Sequence, residues 1–553
     1  MKGLGKIPIT VGIIGHRDAK TTRDHRQKIE MMFIDLAAKY PNSPVFLFSS
    51  NADGAARFVA KIFLDLKRSN ALYNEKFELI VPMPFEYEKY KKGFDDNSDK
   101  EFDDVLIQAK RKFCIRCSGD KNDKTQYYLE TGKFIADSSL ILIAMWDGKE
   151  GSTGGTSDIV NYKVTGDSSN VAQSTFEYNG SVFVLPCDRN ISESKFSDTS
   201  NKGAEFSLES VLKDPTIKEA LDKIEEINTS SLKINQRALE RSQNSHISNA
   251  ENLDDPQKTV LNLYSILDVL AIGYHKRYVR TVIWLFITGL LILMSLGIYT
   301  NLWMNKGVLA CSVLLIIVAG LIYYNSRISK VHTKYLYNRM LAEAMRIQYY
   351  WNNTGINYNV SDYILRIHRK EFTWIEHILS SIYGVTYNDK PIIYKDFSDL
   401  TTNWVNNQAD FFESSIRKMT KKLALYHLIS NISFIAASVL LLSIFFLEQY
   451  YVKANFMNYL QVIIGTFLGI FALIRAYIQF KGYDQLLKQY ELMNVLYQKA
   501  KIKINEIFST LKDSEEQRTL LKELFFIIGK EALIENGTWY LILKEKEPGI
   551  EGI

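Results

Sequence analysis

The stretch ITVGIIGHRDAKTT, residues 9–22, passes from the apolar run ITVGII into a polar turn that contains Gly15, His16 and Arg17. A short β-branched apolar run predicts a buried strand, and a glycine among charged neighbours predicts the turn at its end. The segment DHRQKIEMMFIDLAAKY, residues 24–40, follows with the apolar spacing of a helix. The chain therefore opens with a strand, a polar turn and a helix.

The same alternation continues to about residue 190. Strand-like apolar runs recur as PVFLFSS, FELIVPM, SLILIAMW and SVFVLP, residues 44–50, 77–83, 139–146 and 181–186, with helical patterns between them. Strands that alternate with helices build a parallel sheet with helices on both faces. We therefore predict that residues 1–190 form an α/β domain with a doubly wound parallel sheet.

Polar and glycine residues follow several of these strands. In doubly wound sheets, ligands bind outside the carboxyl ends of the strands, where helix N-termini attract anions. Gly15 would let the backbone approach a ligand, Arg17 would pair with a phosphate, and Asp147 would accept from a ribose or a base. Taken singly, each loop has an ordinary interpretation as a strand-to-helix turn, but together they predict a ligand site. The candidate ligand-binding residues are Gly15, His16, Arg17, Ser49, Ser50, Asn51, Asp53, Gly54, Arg57, Glu86, Tyr87, Asp147, Gly148, Gly154, Gly155 and Thr156.

Composition limits the class of protein. The chain has 553 residues, of which 46% are hydrophobic and 23% charged, which argues for more than one folded domain. A formal net charge of only +5 does not fit a dominant basic surface, so we expect no direct binding of DNA or RNA. Cys114 and Cys117 form C-I-R-C, but two further zinc ligands at suitable spacing are missing. We expect unlinked thiols and no metal site.

Four later runs are long and apolar enough to cross a bilayer: residues 282–298, 307–324, 428–447 and 459–480. They form two hairpins with short connections. Basic residues flank the runs on the side away from these connections, so the positive-inside rule places both termini and the middle segment in the cytosol. These flanking residues are His275, Lys276, Arg277, Arg280, Arg327, Lys330, Lys334, Arg417, Lys418, Lys421 and Lys422.

The fourth run carries two small residues and one charge. Gly465 and Gly469 have the spacing that lets two membrane helices approach closely, although such spacing also arises by chance. Arg475 lies near the predicted cytosolic end, where a side chain that reaches the interface is favoured over one that lines a pore.

The remaining boundaries follow from composition. Residues 191–255 are rich in serine, asparagine, aspartate and lysine around one helical stretch, which predicts a linker or a loosely packed insertion. Residues 256–553 predict a membrane domain of four transmembrane helices, in which each hairpin is followed by long cytosolic helices.

Several segments of the α/β domain, in order, resemble the SLOG superfamily. They are G-H-R after the first strand, SSNADGAARFVA after the second, VPMPFEYEKY after the third, and DSSLILIAMWDGKEGSTGGTSDIV later in the chain. The resemblance covers about 180 residues. It implies a Rossmann-like domain that binds a nucleotide-derived ligand.

The C-terminal half is similar to the SLATT-like transmembrane effectors of bacterial anti-phage systems. The matching segments are NRMLAEAMRIQYYW, LTTNWVNNQADFF and IIGKEALIENGTWYLILKEKEPG. The resemblance implies a homo-oligomer in the bacterial inner membrane with a nucleotide second messenger and the lipid bilayer as partners. No further cofactor is expected.

Two functions from different classes remain open. In the first, the α/β domain senses a nucleotide, and its oligomerisation or rearrangement makes the membrane helices open a pore or disrupt the bilayer. In the second, the domain is a nucleotide hydrolase at the membrane surface. The related LOG enzymes carry the pattern P-G-G-x-G-T-x-x-E, and aligning Gly155 and Thr156 with its G-T puts Ile159 at the glutamate position. Asp158 lies one position off, on a different face of the helix. We therefore expect a sensor rather than an enzyme.

Overall fold

The computed structural model describes residues 5–94, 96–116, 124–151, 154–166, 180–189, 206–244, 254–364, 369–389, 397–447, 454–511 and 514–544. The chain divides into two compact units. Unit 1 comprises Met1–Leu267 and Leu341–Lys395, and unit 2 comprises Asp268–Met340 and Asp396–Ile553.

Unit 1 contains one parallel sheet. Its strands are β1 (Ile9–Gly15), β2 (Val45–Phe48), β3 (Phe77–Met83), β4 (Arg111–Cys114), β5 (Ile141–Trp146) and β6 (Val182–Pro186). The strand order is β4-β3-β2-β1-β5-β6, and every pair is parallel. This confirms the predicted doubly wound parallel sheet. Strand β4 was not predicted, because this short edge strand begins with two charged residues.

Helices alternate with these strands. The first seven are α1 (Arg23–Lys39), α2 (Ala55–Ser69), α3 (Ala71–Lys76), α4 (Tyr87–Lys91), α5 (Asp96–Gln108), α6 (Lys124–Ser138) and α7 (Thr156–Thr165). Helix α1 begins where the Thr22 hydroxyl accepts a hydrogen bond from the His25 N–H at 3.2 Å, which satisfies one free amide of its first turn.

The core lies on both faces of the sheet. On one face Phe63 packs against Phe33 and stacks on Phe77, with ring centroids 4.9 and 4.8 Å apart. Phe77 and Ile80 differ by an odd number of positions on β3, so their side chains point to opposite faces. Ile80 belongs to the cluster on the other face, together with Phe113.

The segment predicted as a linker contributes helices to unit 1. These are α8 (Leu208–Val211), α9 (Pro215–Ser231) and α10 (Gln236–Asn244). Asn228 of α9 exchanges two hydrogen bonds of 2.9 Å with the backbone N–H and carbonyl of Ile7. The prediction of a loose insertion is therefore wrong for α9, because its buried side chains recur with helical spacing and pack as core. They are Ile217, Ala220, Leu221, Ile224, Ile227 and Asn228. Residues 190–205 and 245–253 lie outside the described residues.

Unit 1 also includes segments of the chain that were predicted to belong to the membrane domain. Helices α11 (Asp255–Asn301) and α13 (Val331–Thr354) contribute residues to both units, and α14 (Arg369–Thr386) lies wholly in unit 1. Arg111 donates to the carbonyl oxygens of Val385 and Tyr387. The Thr10 and Ser381 hydroxyls lie 2.7 Å apart. The predicted boundaries at 190 and 256 therefore differ from the observed units, because α14 buries its apolar side chains on the α/β unit.

Unit 2 contains the long apolar helices. They are α11, α12 (Lys306–Ser329), α16 (Asn407–Leu447) and α17 (Ala454–Lys481). Four helices among the described residues are long and apolar enough to cross a membrane, which confirms the four predicted runs. The chain is accordingly a membrane protein. Helices α15 (Phe397–Leu400), α18 (Tyr483–Thr510) and α19 (Glu515–Lys544) complete the unit, with a π-helical turn at Thr401–Asn406.

The two small residues of α17 differ in their surroundings. A Cβ on Gly469 would lie 3.1 Å from the Leu293 side chain, whereas Gly465 has no neighbour within 4 Å. Close helix approach is therefore found at Gly469 within one chain. The Arg475 guanidinium contacts His427 Nδ1 at 3.0 Å and donates to Asn431 Oδ1 at 2.9 Å.

Candidate functional site

The sheet reverses its order between β1 and β5. Strands β2, β3 and β4 extend to one side of β1, and β5 and β6 extend to the other. The connections after β1 and β5 therefore leave the sheet in opposite directions, and this opens a crevice at its carboxyl edge, where α/β proteins bind ligands. The predicted residues of these two loops follow the carboxyl ends of β1 and β5: they are Gly15, His16, Arg17, Asp147, Gly148, Gly154, Gly155 and Thr156.

The two loops are joined by a hydrogen bond. His16 Nε2 lies 3.0 Å from Asp147 Oδ1, and the same oxygen accepts from the Lys149 N–H at 3.1 Å. Burial raises the pKa of Asp147, but the hydrogen bond from the Lys149 N–H and the contact with the His16 ring outweigh it, so this pKa lies below its ordinary value. Asp147 is thus a buried carboxylate held by neighbouring protein groups.

Glycines let the loops approach one another. Gly54 has a φ of +72°, and a Cβ there would overlap the carbonyl oxygens of His16 and Arg17. The adjacent Ala55 N–H donates to the His16 carbonyl at 3.1 Å. A Cβ on Gly15 would lie 2.8 Å from the Met145 carbonyl oxygen. These glycines therefore allow two segments of the protein backbone to approach each other. The sequence analysis had predicted that they allow the backbone to approach a ligand.

Polar residues after β2 make hydrogen bonds within the loop. The Ser49 hydroxyl donates to the Ala56 carbonyl at 2.9 Å and accepts from the Asn51 N–H at 3.1 Å. Asn51 is fully buried with a φ of +56°. The Ser50 carbonyl accepts from the Tyr90 hydroxyl at 3.3 Å. The Ser49 hydroxyl and the Asn51 amide nitrogen, which donates to the Phe102 carbonyl at 3.0 Å, therefore bond within the protein, and Ser50 does so through its carbonyl.

Arg57 is buried in the same network. Its Nη1 lies 2.6 Å from Asp53 Oδ1, and Nη2 donates to the Asn51 carbonyl at 3.1 Å. The guanidinium also lies 4.9 Å from the centroid of the Phe94 ring. Arg57 and Asp53 therefore neutralise one another, and the geometry gives Arg57 a structural role instead of the predicted contact with a ligand.

The loop after β3 carries Glu86 and Tyr87. Glu86 is exposed immediately before α4, and the Tyr87 hydroxyl donates to Asp103 Oδ1 at 2.8 Å. Lys91 Nζ contacts the other oxygen of Asp103 at 2.7 Å. Tyr87 is therefore turned toward α5, while Glu86 remains at the surface.

The glycine turn after β5 opens α7. Gly154 has a φ of +77°, and its N–H donates to Asp158 Oδ2 at 2.8 Å. Gly155 is the N-cap, and the buried Thr156 begins the helix. Gly148, with a φ of +76°, lies in the preceding turn.

Ile159, which takes the place of the hydrolytic glutamate in the LOG pattern, is 3% exposed and belongs to the core. A Cβ on Gly132 of α6 would lie 2.5 Å from its Cδ1 atom. This position of α7 therefore faces the protein interior and has no access to the crevice.

Four residues beside Arg17 were missed by the sequence analysis. We define the cation–aromatic cluster as Arg17, Phe85, Lys89, Tyr127 and Tyr128. The Arg17 guanidinium lies 4.6 Å from the centroid of the Tyr128 ring, and Lys89 Nζ lies 4.6 Å from that of Phe85. The adjacent tyrosines in the first turns of α6 are the signal that was overlooked, because α6 itself was not assigned to the site.

Among the described residues, no three histidine, cysteine or acidic side chains lie together in a group that could hold a metal ion. Burial raises the pKa of the Cys114 thiol to about 11, so it is protonated at neutral pH. The second thiol of the C-I-R-C motif, Cys117, lies outside the described residues.

The chain matches no protein-family model and no curated protein.

Proposed function

We propose that unit 1 binds a phosphorylated nucleoside at the carboxyl edge of its sheet, as the resemblance to SLOG domains implies. The observation that carries the proposal is Arg17, an exposed cation at the point where the strand order reverses. No ion pair to Arg17 occurs among the described residues, and its guanidinium lies against Tyr128. A planar guanidinium suits phosphate because it donates two parallel hydrogen bonds.

The glycine turn before α7 supports the same location. Helix N-termini and glycine-rich turns present backbone N–H groups to anions. The Gly154 N–H is occupied by Asp158, so Gly155 and the first turn of α7 are the donors that face a ligand in this proposal.

The proposal extends to the whole chain. Ligand binding drives oligomerisation or rearrangement of the protein, and the membrane helices then open a pore or disrupt the bilayer. The setting is the bacterial inner membrane with both termini in the cytosol, in anti-phage defence. The proposal is supported because a single chain joins an α/β unit to four apolar helices. Two helices of this chain, α11 and α13, have residues in both units.

The alternative function, nucleotide hydrolysis, needs a carboxylate at the reacting ribose. Asp158 is the nearest acid to the glycine turn, and its Oδ2 accepts from the Gly154 N–H. Ile159 is buried in the core. These two observations favour binding without hydrolysis.

Calorimetry on the full chain in detergent tests the binding proposal, with ADP-ribose and cyclic di-AMP as probes. Loss of a charge-assisted phosphate contact costs about 1.5–3 kcal/mol, so Arg17→Ala should weaken binding at least tenfold. Arg237→Ala removes an exposed arginine of α10 and serves as the matched control. Equal affinity of Arg17→Ala and the wild type would remove Arg17 from the site.

Dye-loaded liposomes test the effector proposal. We expect the active probe to enlarge the detergent-solubilised oligomer and to release dye, and Gly154→Val to abolish both effects. The substitution acts because φ is +77° at Gly154 and a Cβ there would lie 2.9 Å from the Thr125 carbonyl oxygen. Full dye release without nucleotide, or a bound protein of unchanged size and leakage, contradicts the proposal.

A further inference from the structure

The cation–aromatic cluster consists of three packed aromatic rings and two cations that lie against them. Phe85 lies against both tyrosines, with ring centroids 5.1 Å from Tyr127 and 5.5 Å from Tyr128. Lys89 Nζ is 4.6 Å from Phe85 and 5.8 Å from Tyr127, while Arg17 lies over Tyr128. The two cations therefore approach neighbouring rings of one aromatic group.

Burial is graded across the cluster. Phe85 is 5% exposed, the two tyrosines are half-buried, and Arg17 and Lys89 are exposed. Phe85 thus supports the tyrosines from below, and part of each tyrosine surface faces solvent. Partly exposed tyrosine rings offer stacking surface for a nucleobase, since every base has a π-face.

Neither cation of the cluster has an acidic partner at salt-bridge distance among the described residues. The nearby acids have other partners: Asp53 pairs with Arg57, Asp147 contacts His16, and Asp103 pairs with Lys91. Among the described residues, neither Arg17 nor Lys89 forms a salt bridge. Glu86 precedes Lys89 by three positions, but these two side chains do not form one either.

The cations are also held in place. A cation is attracted to an aromatic face, which restricts the long side chain before a ligand arrives. Ordered side chains lose less conformational entropy on binding than free ones. Arg17 and Lys89 are restricted by the rings and form no salt bridge. Their arrangement fits a ligand that has two negative charges and a base between or beside these charges.

We infer that the cluster selects a doubly charged nucleotide, such as a nucleoside diphosphate derivative or a cyclic dinucleotide, over singly charged and neutral analogues. Arg17 and Lys89 each contact one negative charge, and Tyr127 and Tyr128 stack on a base. The inference rests on the proposed function, and it assigns Phe85, Lys89, Tyr127 and Tyr128 as binding residues.

The inference is tested by measuring the affinity of the full chain in detergent for ligands of increasing negative charge. The probes are adenosine, cyclic AMP and ADP-ribose, which share adenine and carry no, one and two negative charges. Affinity should rise at each step, and the rise should shrink at high salt, since the cations are exposed.

Variants separate charge from stacking. Lys89→Gln should weaken ADP-ribose roughly tenfold and leave adenosine unchanged, since only a charge is lost. Tyr127→Leu should weaken all three probes by a similar factor, because each contains the base. Lys92→Gln, at an exposed lysine just past the end of α4, is the control for net charge.

Each outcome decides the inference. Equal effects of Lys89→Gln and Lys92→Gln on ADP-ribose, or equal affinity for cyclic AMP and ADP-ribose, would overturn it while leaving nucleotide binding intact. No binding of any probe, nor of cyclic di-AMP, would overturn the proposed function as well.

Discussion

Replacing Asn228 by alanine should destabilise unit 1, although residue 228 lies in a segment whose composition predicts a linker. The Asn228 amide is 1% exposed and makes three hydrogen bonds of 2.9 Å, two with the Ile7 backbone and one with the Ser43 hydroxyl. Alanine would leave the Ile7 N–H and carbonyl buried without these partners. A buried unsatisfied polar group costs about 1–3 kcal/mol, so the two groups together should cost about 2–6 kcal/mol.

Hydrogen exchange measured by mass spectrometry is the suitable assay, because a chain with two units need not unfold in one step. Amides of β1 and α9 should exchange roughly 30- to 20,000-fold faster in Asn228→Ala, at tenfold per 1.4 kcal/mol. The matched control is Asn161→Ala, at an exposed asparagine of α7, which should change exchange little. Equal exchange in both variants would show that α9 is not part of the core and would refute the reasoning.

Three further outcomes follow from buried polar contacts. Lys76 Nζ donates to two carbonyl oxygens at the end of α1, and burial lowers its pKa from 10.5 to about 8. Between about pH 8 and pH 10.5 the unfolded chain therefore binds more protons than the folded chain, so the free energy of unfolding should increase with pH across this range. Chemical denaturation measures this increase, which should be smaller in Lys76→Met. Arg111→Leu should destabilise the docking of α14 by about 1.5–3 kcal/mol, because two carbonyl groups lose a charged donor, and exchange of α14 amides measures this. Asp158→Ala should cost about 1 kcal/mol, because it removes the hydrogen bond to the Gly154 N–H in the turn before α7, and bound nucleotide should stay chemically unaltered, as in the wild type. Chromatography showing a free base released by the wild type and not by Asp158→Ala would instead favour hydrolysis.

Residues of the candidate site show how far spacing predicts contacts. Sequence places Asp53 and Gly54 in the loop after β2 and Arg57 in the helix that follows, and all three lie where predicted. Their partners were not predictable: Gly54 packs on the loop after β1, and Arg57 pairs with Asp53 beneath Phe94. A loop position follows from local order, whereas the direction of a side chain depends on which distant residues surround it.

Local patterns determined the strands, the glycine turns and the four membrane runs. Apolar alternation and uninterrupted apolar length are properties of neighbouring residues, and each stretch can bury its side chains in only a few ways. For the same reason β4 escaped prediction, because an edge strand needs few apolar residues.

Tertiary structure alone decided which segments form the α/β unit and which side chains share its carboxyl edge. Ile7 and Asn228 meet across 221 residues, and Arg111 reaches Tyr387 across 276. Arg17 lies in the loop after β1 and Tyr128 lies in α6, and the two residues are far apart in sequence. The spacing of apolar residues says that a helix has a face to bury, but the surface that receives it is set by the packing of the whole chain, where the gain in buried area offsets the entropy of closing such long loops.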